Sequence, residues 1–166
     1  MSHAAELKKL MMRRPPLTLA VAESLTAGHV QARIAAVSGA SDYFLGGITA
    51  YTLRQKVKLL GVNRAHAKRV NCVSQRVAVE MAFGATRLFG ADLAVATTGY
   101  AEPARAAGVK SPMAWWAICQ RLANGRLALT SGTIEVPGAN RTEAQARIAD
   151  DVLGRLVAHL AAWRAQ

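Results

Sequence analysis

Three short apolar runs, 17–22 (LTLAVA), 44–51 (FLGGITAY) and 92–97 (DLAVAT), alternate with stretches of helical periodicity. An apolar run of this length bounded by turn residues reads as a buried strand. Residues 3–13 read as a helix stopped by Pro15-Pro16. Residues 26–37 read as a helix with Val30, Ile34 and Val37 on one side, ended by Ser38-Gly39. Short helical turns are expected over 53–60 and 64–70, around Gly61. Ser74 is a good N-cap for a helix running to Phe89, with Gly90 just past its end.

The loop 99–111 separates this part from two further apolar stretches, 113–120 and 126–136. Asn124-Gly125 between them is a hairpin signal, although Arg121–Ala123 lengthen the connection. The last helix is expected from Thr142 to Arg164, with Ile148, Val152, Leu156 and Leu160 on a stripe that Leu153 and Val157 widen. Helices between strands imply a three-layer α/β/α sandwich, and the hairpin makes its sheet mixed. We read residues 1–166 as one such α/β domain, since 166 residues suffice for one real core.

Composition narrows the function classes. Apolar residues make up 52% of the chain, which argues against disorder. Cys72 and Cys119 form no CxxC pair and there are four histidines, so neither a disulfide framework nor a metal site is expected. A reducing cytoplasm is the natural home. The basic N-terminus precedes too short an apolar run for a leader, and nothing reaches the length of a membrane span. The formal charge of +11 admits a nucleic-acid partner or a pocket for an anionic substrate. The charges are scattered, with no run of five and no interleaved aromatics, so nucleic acid is not the expected partner.

The reactive groups concentrate in AESLTAG (22–28) and GGITAYTLRQK (46–56). Ser24 follows a strand and precedes a helix, where ligands sit in open α/β sheets and where helix N–H groups can receive an oxyanion. Ser24 or Thr26 could equally cap that helix. Lys56 can serve as a base if its pKa is lowered, and otherwise reads as a solvated helix lysine. Tyr51 can donate a hydrogen bond to serine or substrate, or be an ordinary strand aromatic. Gly46-Gly47 lets another chain or a ligand approach closely. Serine, lysine and tyrosine together can run nucleophilic chemistry without histidine or metal.

These segments resemble a known family. AESLTAG is similar to the AESCTGG signature of the CinA C-terminal domain, the nicotinamide mononucleotide (NMN) deamidase family. SGASDYFLGGITAYTLRQKVKLLGV, CVSQRVAVEMAFGA and ADLAVATTGYAEP resemble its following blocks, and SPMAWWAI and VPGANR its last two. The resemblance implies an amidohydrolase that converts NMN to nicotinate mononucleotide and ammonia, with no cofactor and no metal. It implies Ser24 as nucleophile, Lys56 as general base and Tyr51 as a supporting hydroxyl. Glu23, Thr26, Gly28, Gly46, Gly47 and Gly99 would shape the substrate pocket, and Arg141 would meet the phosphate or line the site. A homodimer or larger homo-oligomer is expected, with no membrane partner.

The chain departs from the family pattern around the pocket. Leu25 and Ala27 stand where Cys and Gly are usual, and GYAEPARAAGVK replaces a glycine-rich GIAGPGG-type loop. Glu102 thereby adds a carboxylate that would repel a phosphate, with Arg105 and Lys110 available to offset it. Met113, Ala114, Trp115 and Trp116 replace a Val-Gly-Thr-Val-type run, and Gln145 replaces a common arginine. The paired tryptophans read either as an exposed contact surface or as core residues of a buried strand. Ser24, Tyr51 and Lys56 are intact. The alternative to NMN deamidation is therefore action on a different amide, or nucleotide binding without turnover.

Overall fold

The computed structural model describes residues 2–165. Five strands, β1 (Leu19–Glu23), β2 (Phe44–Thr49), β3 (Leu93–Tyr100), β4 (Met113–Arg121) and β5 (Leu127–Glu135), form one sheet in the order β2-β1-β3-β4-β5. β1 pairs in parallel with both β2 and β3, whereas β4 runs antiparallel to β3 and to β5. Helices cover both faces, so the mixed-sheet α/β/α sandwich is the architecture found.

Period-2 alternation along the strands decides what each face carries. Leu19 and Val21, Leu93 and Val95, and Trp116 and Ile118 point to one face. There they meet α1 (His3–Met11), α2 (His29–Ala35) and α6 (Arg141–Arg164), through Leu7, Met11, Ile34, Ile148 and Leu153 among others. The intervening residues Ala20, Ala22, Ala94, Ala96 and Ala117 point to the other face. This alanine floor packs against α5 (Gln75–Phe89), whose Ala78, Met81, Ala82 and Ala85 cover it. α3 (Leu53–Leu60) and α4 (Arg64–Arg69) complete that layer. Each fully buried Leu, Ile, Val or Met side chain contributes about 1.5–3 kcal/mol relative to exposure.

Local signals explain most boundaries. α5 starts at the Ser74 cap, whose hydroxyl accepts the Val77 N–H, and ends at Gly90 in the left-handed region. α6 starts one residue earlier than expected because Asn140 and Glu143 cap each other's backbone N–H groups. The β4–β5 connection closes with Leu122 N–H donating to the Arg126 carbonyl, which leaves a three-residue loop with Gly125 at φ 78°. The helix expected over 26–37 is shorter. Ala27 (φ 51°) and Gly28 (φ 98°) are both left-handed and cannot be helical, so α2 begins at His29. Of the two tryptophans, Trp116 is buried over Gly132 and Trp115 is half-buried against the α5 layer. Both are therefore packed into the fold.

Candidate active site

β1 ends at Glu23, and Ser24 follows it directly, so strand alternation sends the two side chains in opposite directions. Glu23 turns toward α2 and Ser24 toward α3. The Glu23 carboxylate is wholly buried and accepts the N–H groups of Gly28 (3.0 Å), Val30 (3.1 Å) and Gln31 (2.9 Å). It is the cap of α2, whose N-cap residue Gly28 has no side chain to do this. Two expectations change as a result. Neither Ser24 nor Thr26 caps the helix, and the N–H groups at its start already hold an internal anion rather than waiting for an oxyanion. Glu23 is thus part of the scaffold and does not line the pocket.

Ser24 is 7% exposed, at the base of a cavity of about 430 Å³. Its Oγ lies 2.9 Å from Lys56 Nζ. Lys56 shares the buried face of α3 with Leu60, one turn further on, and is 1% exposed. The amine also donates to the carbonyls of Ala50 (2.8 Å) and Tyr51 (3.1 Å). No carboxylate pairs with it among the described residues. Burial lowers the Lys56 pKa, and the nearby Cys72 only weakly opposes this. Burial also raises the Cys72 thiol, which keeps it from serving as a counter-anion. A neutral amine has two N–H donors and one lone pair. With two N–H groups on the carbonyls, loss of the third proton turns the lone pair toward the Ser24 hydroxyl.

The turn that carries Ser24 is held from β3. Thr26 is buried and its Oγ1 lies 2.8 Å from Thr97 Oγ1. The next strand residue points to the other face, where Thr98 Oγ1 donates to the Cys72 carbonyl at 2.7 Å. Adjacent threonines of β3 therefore pin two loops, one on each side of the sheet. The loop at Cys72 contributes Asn71, Cys72 and Val73 to the cavity wall, and Asn71 donates to the Tyr100 hydroxyl at 3.1 Å. Asn71 and Cys72 both have positive φ (48° and 62°). This wall is not legible in the sequence. Its one signal is an asparagine just ahead of the Ser74 cap, because asparagine tolerates the left-handed region.

Of the expected site residues, Ser24, Tyr51, Lys56, Gly99 and Arg141 line the cavity, whereas Glu23, Thr26, Gly28, Gly46 and Gly47 do not. Gly46 and Gly47 accommodate the chain's own side chains. A Cβ at Gly46 would lie 3.1 Å from the Phe89 ring, and one at Gly47 would collide with Gln31. The close approach there is internal packing. Gly99 lets β4 come near, since a Cβ would strike the Met113 carbonyl oxygen. The Tyr51 hydroxyl accepts from Arg141 Nη2 at 2.7 Å at the cavity mouth, so it supports Arg141 and not Ser24. What Tyr51 gives the serine–lysine pair is its backbone carbonyl. Arg141 Nη1 also donates to Glu102 Oε1 at 3.1 Å. Arg105 and Lys110 do not line the cavity: they border an adjoining hollow that shares Pro103 with it, and neither forms an ion pair with Glu102.

Among the described residues, no cluster of three or more His, Cys, Asp or Glu side chains could hold a metal ion. No helix among them is long and apolar enough to cross a membrane.

A family model described as the CinA C-terminal domain matches residues 2–160. A CinA-like protein of Chlorobium limicola is 39% identical over 137 residues, 81% of this chain and 32% of that protein. One from Mycobacterium marinum is 40% identical over 129 residues, 78% of this chain and 29% of that protein. The matched region thus spans about a third of the length of these relatives. The crystal structure of a CinA superfamily protein from Klebsiella pneumoniae 700603 superposes with a TM-score of 0.85, at 24% identity over 97% of both chains. A competence/damage-inducible protein from Agrobacterium tumefaciens superposes with a TM-score of 0.77, at 26% identity over 94% of both chains.

Proposed function

The chain belongs to the CinA C-terminal domain family, and from that premise we propose that it is an amidohydrolase that deamidates a pyridine mononucleotide. The expected reaction converts NMN to nicotinate mononucleotide and ammonia. One observation carries this reading. Ser24 Oγ lies 2.9 Å from a buried lysine amine whose remaining hydrogen-bonding positions are taken by two carbonyls. Serine is a weak nucleophile at neutral pH and needs a base at this distance.

The geometry supports a double displacement. Ser24 Oγ attacks the carboxamide carbon and its proton passes to Lys56 Nζ. The tetrahedral intermediate collapses when Lys56 returns that proton to the departing nitrogen, so the C–N bond breaks and ammonia leaves. Water then attacks the Ser24 ester, again losing a proton to Lys56, which returns it to Ser24 Oγ as the bond between that oxygen and the acyl carbon breaks and the acid is released. The N–H group of Leu25, beside the nucleophile on the cavity wall, donates to no acceptor among the described residues. It is the oxyanion donor in this scheme. Lys56 is screened from water and lacks a counter-anion, so it alternates between amine and ammonium without being trapped as a salt bridge.

The test is ammonia release from NMN by the wild-type protein, Ser24→Ala and Lys56→Met. Loss of at least about a thousandfold in kcat in both variants, with unfolding temperatures retained, is the expected result. Wild-type turnover in Ser24→Ala would remove the serine from the mechanism. Stabilisation of wild-type protein by NMN without ammonia release would favour nucleotide binding without turnover.

A further inference from the structure

We infer that Glu102 sets the substrate class of this cavity: by holding the guanidinium of Arg141, it lets a carboxamide ligand without a phosphate bind at least as well as its phosphorylated counterpart. This rests on the reading of Ser24–Lys56 as the reacting end of the cavity, and concerns what the other end recognises.

The cavity offers few charges. Its ionisable lining residues are Tyr51, Lys56, Cys72, Tyr100, Glu102 and Arg141. Lys56 is sealed behind Ser24 at the reacting end, 1% exposed and held by Ser24 Oγ and the Ala50 and Tyr51 carbonyls, away from the mouth. Cys72 is raised and stays a thiol. That leaves Arg141 and Glu102, of opposite sign, as the charges a ligand meets at the mouth. Both are substantially exposed, with side chains 47% and 63% accessible, so ligand atoms can reach them.

An arginine selects phosphate by presenting two parallel N–H groups to two oxygens. Here Nη1 donates to Glu102 and Nη2 to the Tyr51 hydroxyl, so one N–H of each arm is already engaged. An exposed ion pair holds weakly, and displacing Glu102 from Arg141 is not itself a large obstacle. The obstacle is repulsion once the pair has opened. The displaced carboxylate stays on the cavity wall beside a phosphate that carries up to two negative charges. No second cation of the lining stands at the mouth, and Arg105 and Lys110, which border the adjoining hollow, form no ion pair with Glu102. A hydroxyl in place of the phosphate can instead donate to the Glu102 carboxylate, which accepts it without disturbing Arg141. Like charges a few ångströms apart in a water-accessible mouth cost about five- to tenfold in affinity.

Isothermal calorimetry on Ser24→Ala protein, which cannot turn the ligands over in the proposed mechanism, measures Kd for NMN and for nicotinamide riboside. The same pair is measured with Glu102→Gln added, and with Glu102→Ala as a second variant. With Glu102 present, the riboside should bind at least as tightly as the mononucleotide. Either substitution should tighten the mononucleotide about five- to tenfold, while the riboside stays within twofold in Glu102→Gln, which keeps an acceptor oxygen, and is not tightened in Glu102→Ala, which has none. The inference is overturned if the Glu102 protein prefers the mononucleotide by about tenfold, if the substitutions shift both ligands alike or neither, or if neither ligand binds. Because this readout is binding, it stands apart from ammonia release by the wild-type protein. Calorimetry can succeed where turnover fails, and the reverse.

Discussion

Replacing Glu23 by glutamine removes a buried anion and barely changes the shape of the side chain. In the native protein, one oxygen accepts the Gly28 and Val30 N–H groups, and the other accepts Gln31 N–H at 2.9 Å. A glutamine has one acceptor oxygen. If that oxygen keeps Gly28 and Val30, the amide NH₂ faces the Gln31 N–H, donor against donor. One bond to a charged acceptor is lost, worth about 1.5–3 kcal/mol, and a buried donor is left unsatisfied at about 1–3 kcal/mol. Loss of the negative charge at the start of α2 adds up to about 1 kcal/mol. The sum is about 2.5–7 kcal/mol, or a fall in unfolding temperature of about 5–28 °C for a chain of this size. Thermal and urea unfolding measure it, and ammonia release from NMN measures KM alongside. α2 and the Ser24 turn share this cap, so activity should decline as the fold loosens. An unfolding temperature within about 1 °C of wild type together with a raised KM would refute the reasoning and return Glu23 to the substrate.

Two further substitutions probe the scaffold and the base. The Lys56 pKa is depressed in the folded protein below its ordinary value of about 10.4, so between the two values the unfolded chain binds the extra proton. Stability should therefore rise with pH through that window, by up to about 1.4 kcal/mol per pH unit, and the penalty is fully present below the folded pKa. Urea unfolding of wild type against Lys56→Met isolates this slope, and identical pH dependences would show that Lys56 is not desolvated; kcat should rise with pH through the same folded pKa. Gly84→Ala places a Cβ against the Leu60 carbonyl oxygen, where α3 closes on α5. Helix propensity alone favours alanine by about 1 kcal/mol, yet this contact should reverse the sign and destabilise by about 1–3 kcal/mol, read as a lower unfolding temperature. A stabilised variant would mean that α3 and α5 are not so closely packed.

Much of the architecture is legible in the sequence because its signals are local. LTLAVA and DLAVAT already carry the Leu/Val–Ala alternation that divides the two cores, and Ser74, Gly90 and Gly125 mark ends that depend on neighbouring backbone alone. The serine and lysine are legible as reactive types, and the family resemblance supplies their pairing. Their chemistry is not legible. Whether Lys56 is a solvated cation or a neutral base depends on burial and on the carbonyls of Ala50 and Tyr51, which the β2–α3 connection brings to the amine. Glu23 reads as a pocket residue because the sequence shows its place beside Ser24 and not the helix that meets it.

The sequence by itself determined that Glu23 and Ser24, adjacent at the end of one strand, must face opposite ways. Period-2 geometry leaves no choice about that. Only the tertiary structure decided that α2 would arrive on one side to take the carboxylate, and α3 on the other to set an amine 2.9 Å from the hydroxyl. Direction is a property of the backbone over two residues. A partner is a property of packing, and Lys56 lies 32 residues away along the chain.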